Sequence, residues 1–180
     1  MSLTFDDVEP TAAALRSIYA AAFTPPPWHE TPDQIEGFVR RLPQLAGKPG
    51  FRCVIARVDG EPAGFTCGFA CPDPWPADRL YGHIADALGE RLPILTGRSE
   101  LHELAVDPRF TRRGVGAALV ERFTAAGPSW LVTSPEADAA VRLYERLGWS
   151  QACEFEVPRE RLRIFRVYLS PASPGACVAP

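Results

Sequence analysis

The sequence predicts an α/β (α+β) chain: one mixed, mostly antiparallel sheet with helices on both faces. Three observations carry that reading. Two apolar, β-prone runs, Phe51 to Val58 and Pro62 to Cys71, are joined through Asp59-Gly60, a dipeptide that tolerates the left-handed backbone of a tight hairpin. Glu100 to Val106 reads as a strand that Pro108 ends, and Gly114 to Ala126 then carries Val115, Leu119 and Phe123 on one helical face. After that the alternation continues, with a short strand Ser129 to Thr133, a helix Ala137 to Leu147 stopped by Gly148, and closing strands Gln151 to Val157 and Leu162 to Leu169.

The N-terminal part fits the same scheme. LTFDDVEP reads as a strand, and Pro10-Thr11 leads into a helix with Leu15, Ile18, Tyr19 and Ala22 on one face. A proline-rich loop with Trp28 and His29 follows, then a second helix with Ile35, Phe38, Val39 and Leu42 at helical spacing and Asp33 in its first turn. Between the hairpin and the Glu100 strand, Leu80, Ile84 and Leu88 recur every four residues, which predicts an inserted helix over Pro76 to Arg91, with a long lid as the other reading. Residues 1–170 are expected to form one domain and 171–180 a Pro/Ala-rich tail, since single cores divide only beyond roughly 250 residues.

Composition excludes several functions. A net charge of -3 gives no bulk attraction to a phosphate backbone, so nucleic acid is not an expected partner. Apolar runs are interrupted well short of the about 18 residues that a membrane span needs. MSLTFDDVEP has no basic region ahead of an apolar stretch, and no membrane partner and a cytoplasmic location are the expectation. The five cysteines, Cys53, Cys67, Cys71, Cys153 and Cys177, lack paired C-x-x-C spacing, so buried thiols are expected and no metal.

The segment with most chemistry is VDPRFTRRGVGA, Val106 to Ala117, between strand and helix. Glycines at G-x-G spacing let the backbone turn tightly, and amides at a helix start point at an anion, with Arg112 and Arg113 adding charge beside them. A diphosphate suits such a cradle, although packing alone also explains many G-x-G turns. It is no dinucleotide fingerprint, which needs a third glycine, and no P-loop, which needs Gly-Lys-Ser/Thr.

ELAVDPRFTRRGVGAALVERF closely resembles the acetyl-CoA-binding motif of the GNAT acetyltransferases, Gln/Arg-x-x-Gly-x-Gly/Ala after a strand. AVRLYERLGW resembles the family's later, tyrosine-bearing helix, and the likeness runs from Leu3 to Leu169. The resemblance implies a GNAT-like domain that moves an acetyl group from acetyl-CoA directly to a primary amine of a small molecule or peptide. It further implies that backbone groups of Leu104, Ala105 and Val106 pair with the pantetheine arm, while Thr111, Arg112, Arg113, Gly114, Val115, Gly116 and Ala117 hold the pyrophosphate. Thr111 stands where the family has Gln or Arg, and Ala137 where relatives often have Asn, so reduced affinity is expected.

By spacing, Val141, Tyr144 and Leu147 form a core stripe; by resemblance, Tyr144 protonates the departing CoA thiolate. Along the Glu100 strand, alternation sends Glu100 and His102 to one face and Glu103 to the other. The resemblance assigns Glu100 and His102 to removal of the amine proton, with Glu103 as rival and a structural His–Glu pair as the alternative. Trp28 and Trp75, each among prolines, either line an acceptor pocket or pack beneath rigid loops. A non-catalytic acyl-CoA-binding module is the competing function, and a homodimer is left open.

Overall fold

The computed structural model describes residues 2–7, 12–158 and 161–171. Pro10, Thr11, Cys177 and the tail from 172 lie outside the described residues. Seven strands, β1 (Leu3–Asp7), β2 (Arg52–Val58), β3 (Glu61–Ala70), β4 (Ser99–Val106), β5 (Ser129–Thr133), β6 (Ser150–Glu156) and β7 (Ile164–Leu169), bond in the order β1-β2-β3-β4-β5-β7-β6. The β1–β2, β2–β3, β5–β7 and β6–β7 ladders are antiparallel and β4–β5 is parallel, the mixed and mostly antiparallel sheet that the sequence predicts.

The described chain divides into two compact units, residues 1–70 with 101–125 and residues 71–100 with 126–180. In the first, strand alternation sorts the core. Cys53 and Ile55 of β2 join Phe65 and Cys67 of β3 against α1 (Ala12–Phe23) and α2 (Pro32–Ala46), through Leu15, Ile18 and Phe38. Val54, Ala56 and Val58 face the other way, onto Val115 and Leu119 of α4 (Val115–Thr124). Helices therefore cover both faces of these strands, and each fully buried Phe or Leu contributes about 1.5–3 kcal/mol.

Local chemistry fixes the ends of these elements. Thr31 and Gln34 form a reciprocal capping box at the start of α2, with Pro32 entering the first turn. Asp59 (φ 50°) and Gly60 (φ 88°) are both left-handed, as a two-residue hairpin turn requires.

In the second unit, α3 (Arg79–Leu88) is shorter than the predicted Pro76–Arg91 helix, and Gly89–Leu95 continues as a 3₁₀ turn. Prolines 74 and 76 lack amide protons, whereas Asp78 accepts from the Tyr81 amide and caps the helix, so the helix begins there. Its buried face is Tyr81, Ile84 and Leu88 rather than one led by Leu80, which is half-buried. That face packs with Trp130, Phe155, Val157, Val167 and Leu169. α5 (Asp138–Arg146) precedes β6. Cys53 and Cys67 are buried and Cys71 and Cys153 half-buried, all free thiols, and burial pushes Cys53 up to about 12. Among the described residues no helix is long and apolar enough to cross a membrane.

Candidate active site

Strand β4 supplies most of the residues singled out in the sequence. Its parallel ladder with β5 consists of Ser99↔Ser129 and Glu100↔Trp130 and does not continue into Leu101–Val106. On the β3 side, Asp107 N–H donates to the Ala63 carbonyl at 2.9 Å and Thr66 Oγ1 to the Glu103 carbonyl at 2.9 Å. Leu104 and Val106 are half-buried and Ala105 buried, so this stretch presents backbone rather than reactive side chains.

Past β4 the chain makes a tight, self-bonded turn. Asp107 accepts from the Arg109 amide at 2.9 Å and from its guanidinium at 2.9 Å, and that hydrogen bond holds the Asp107 carboxyl below the usual carboxylate range. Thr111 Oγ1 donates to the Pro108 carbonyl at 2.9 Å, so it tightens the turn. Arg112 (φ 59°) and Gly114 (φ 81°) are left-handed and swing the chain into α4, with Arg113 between them over the buried Phe110 ring. The predicted start at Gly114 thus moves one residue on, to Val115, because Gly114 is the left-handed cap.

The resulting helix start fits an anionic diphosphate. Ala118 N–H makes the first bond within α4, to the Gly114 carbonyl, and the amides of Val115, Gly116 and Ala117 precede any carbonyl four residues back in the helix. A Cβ at Gly114 would meet nothing within 4 Å, and Arg112 and Arg113 are both exposed. Gly64 admits a close approach: a Cβ there would lie 2.8 Å from the Ala105 carbonyl oxygen of β4, with the Leu119 and Val115 side chains of α4 at 3.1 and 3.2 Å, so glycine lets the β4 backbone come this close to β3.

The candidate bases sit in different surroundings. Glu100 is 5% exposed and accepts a hydrogen bond from Tyr81 Oη of α3. His102 lies beside the Phe69 ring, 5.1 Å between centroids, and Lys48 Nζ stands 3.9 Å from the centroid of that ring. Glu103 acts electrostatically on Tyr19 of α1, whose hydroxyl donates to Glu30 at 3.0 Å; burial first, then these carboxylates, push Tyr19 far above an ordinary phenol. Tyr144 is 5% exposed, with the Trp149 and Tyr168 rings at 5.6 and 6.2 Å. Ala137 caps α5 with no side-chain hydrogen bond.

Trp28 packs edge-on against Phe23 at 5.5 Å. Trp75 donates from Nε1 to the Tyr81 carbonyl at 3.0 Å and lies against Tyr81 and Trp130. Both indoles are half-buried. Sequence reasoning missed Tyr81. The signal was present, since Tyr81, Ile84 and Leu88 also share a helical face and Asp78 is a good cap, but nothing local connects Tyr81 with Glu100. Among the described residues no group of three or more His, Cys, Asp or Glu is placed to hold a metal.

A strand whose outer backbone leaves its ladder with β5 and then turns through left-handed residues into a helix start suits an extended anionic ligand such as an acyl-CoA. The chain belongs to the acetyltransferase (GNAT) family, which matches residues 12–149 and transfers acetyl groups from acetyl-CoA to amines. Solved structures agree on the fold. A GNAT-family protein from Desulfovibrio desulfuricans superposes at TM-score 0.67 and 18% identity over 96% of this chain and 100% of its own. The ribosomal-protein-S18-alanine N-acetyltransferase of Escherichia coli gives 0.65 and 20% over 99% and 100%. The PaiA N-acetyltransferase of Thermoplasma acidophilum, solved with coenzyme A, gives 0.60 and 11% over 93% and 98%. No curated protein matches the chain significantly.

Proposed function

We propose that this acetyltransferase moves an acetyl group directly onto a primary amine of a small molecule or peptide, in the cytoplasm and without a metal. The observation that carries the reading is the left-handed turn at Arg112 and Gly114 that opens the first amides of α4 toward an anion. Acetyl-CoA, once bound, supplies the activated thioester. The chain's own groups do the rest. Backbone of Leu104, Ala105 and Val106 orients the pantetheine arm, and the Thr111–Ala117 turn with Arg112 and Arg113 neutralises the pyrophosphate. Glu100, with His102, withdraws the amine proton, and Tyr144 Oη returns a proton to the sulfur as the C–S bond breaks.

The similarity to an enzyme of ribosomal-protein alanine supports a peptide N-terminus among the acceptors. Burial of Glu100 favours His102 as the group that meets the amine first, with Glu103, turned toward Tyr19, as the weaker rival. Trp28 and Trp75 line the acceptor side only where their half-exposed edges allow. Two observations favour the second reading, a non-catalytic acyl-CoA-binding module: the Thr111 hydroxyl is engaged with Pro108, and Ala137 has no polar side chain to offer. Thiol release measured across a panel of amines and peptides decides between them. Release that requires a specific amine supports transfer, and acetyl-CoA binding with no release from any acceptor would sink it.

A further inference from the structure

We propose that Tyr81, from the helix inserted between β3 and β4, is the positioning residue for Glu100: its hydroxyl holds that carboxylate in the orientation from which the amine proton is withdrawn. The proposal rests on the base assignment above and adds a residue which that assignment does not contain.

Tyr81 is anchored on every side that matters. Its amide is held by Asp78 Oδ1 at 3.3 Å and its carbonyl by Trp75 Nε1 at 3.0 Å. Its ring stands edge-on to Trp75 at 5.1 Å and to Trp130 at 6.3 Å. Trp130 is also the ladder partner of Glu100, so the residue whose ring packs on the phenol is the one whose backbone pairs with the strand position that carries the carboxylate. A buried carboxylate must be hydrogen-bonded to stay in the interior, and this hydroxyl donates to Glu100 Oε2. Burial, and then the neighbouring Glu100 charge, push Tyr81 well above an ordinary phenol. The hydroxyl therefore keeps its proton at working pH. It can donate to Glu100 but cannot compete with it for the proton of the amine.

Tyr81→Phe removes the hydroxyl and keeps the ring. With an amine found by the thiol-release panel, kcat is expected to fall about 10- to 100-fold with KM for acetyl-CoA within about twofold, the split that marks loss of an interaction felt in the transition state. A merely structural tyrosine would lower the melting temperature and move both parameters together. In a Glu100→Gln background, Tyr81→Phe should add no further loss, because it acts through that carboxylate. A slow Glu100→Gln with Tyr81→Phe at wild-type kcat overturns the positioning role alone. Wild-type kcat in Glu100→Gln overturns the base assignment and this proposal with it. Should Tyr81→Phe not fold, Trp75→Phe removes the Nε1 anchor on the Tyr81 carbonyl and trims the ring packed on Tyr81; a lowered kcat with KM for the amine unchanged supports the proposal, and an unchanged kcat or a loss confined to KM for the amine overturns it.

Discussion

Tyr144 is a buried aromatic side chain to which the proposed function adds a chemical role. Its ring packs against Trp149 and Tyr168, as the helical stripe of Val141, Tyr144 and Leu147 predicts, and the proposed acid role falls to its hydroxyl. Tyr144→Phe should therefore keep the fold and acetyl-CoA affinity while lowering kcat by about 10²-fold or more, within the range of general acid catalysis. Equal losses in turnover and in affinity measured by calorimetry would remove the assigned role. Asp107 makes a different prediction. Its folded pKa is depressed, chiefly by the Arg109 hydrogen bond, so its stabilisation is fully present above the ordinary value of about 3.9 and is lost as pH falls through the lower folded value. Asp107→Asn should lower the melting temperature at neutral pH, and the gap to wild type should close as pH drops below about 4. A gap that stays constant across that range would show that charge plays no part. The Tyr144 role is legible in the sequence through the family resemblance, whereas the Asp107–Arg109 pair depends on the turn that brings the two side chains together.

Elements were the most legible scale. The helix Ala12–Phe23 and the strand Ser129–Thr133 fall where the sequence puts them, because apolar periodicity there meets no competing signal. Boundaries shifted where a cap decides, at Asp78 and at Gly114. Gly64 shows what periodicity cannot reveal: within an apolar strand it reads as a weak spot, but its missing side chain admits the Ala105 carbonyl of β4 against β3. Gly64→Ala would place a methyl 2.8 Å from the Ala105 carbonyl oxygen and within 3.2 Å of Val115 and Leu119, and backbone cannot yield cheaply. A loss of about 1–3 kcal/mol is expected, seen as a lower urea midpoint at unchanged slope. Weaker acetyl-CoA binding should accompany it, because the displaced Ala105 backbone belongs to the stretch proposed to orient the pantetheine arm. An unchanged midpoint would mean that β4 has room to shift.

At the scale of the whole molecule, the sequence indicates which segments are strands but not how distant ones pair. A strand–helix–strand order makes β4 and β5 parallel, whereas the insertion of β7 between β5 and β6 rests on contacts far apart in the chain. The same distance hides the two compact units, each assembled from non-consecutive pieces. β4 belongs to both, Ser99 and Glu100 with one and Leu101–Val106 with the other. A ligand read by the backbone of Leu104–Val106 and the start of α4 should stabilise the native chain by an amount that grows with the logarithm of its concentration above Kd. At about 100 times its Kd, acetyl-CoA should contribute about 2.7 kcal/mol, or roughly 5–11 °C in melting temperature for a chain of this size. Amide exchange should slow most between Leu104 and Ala117. A shift of that size with no thiol release would leave a binding module, and the absence of any shift would remove the cofactor assignment on which both readings depend.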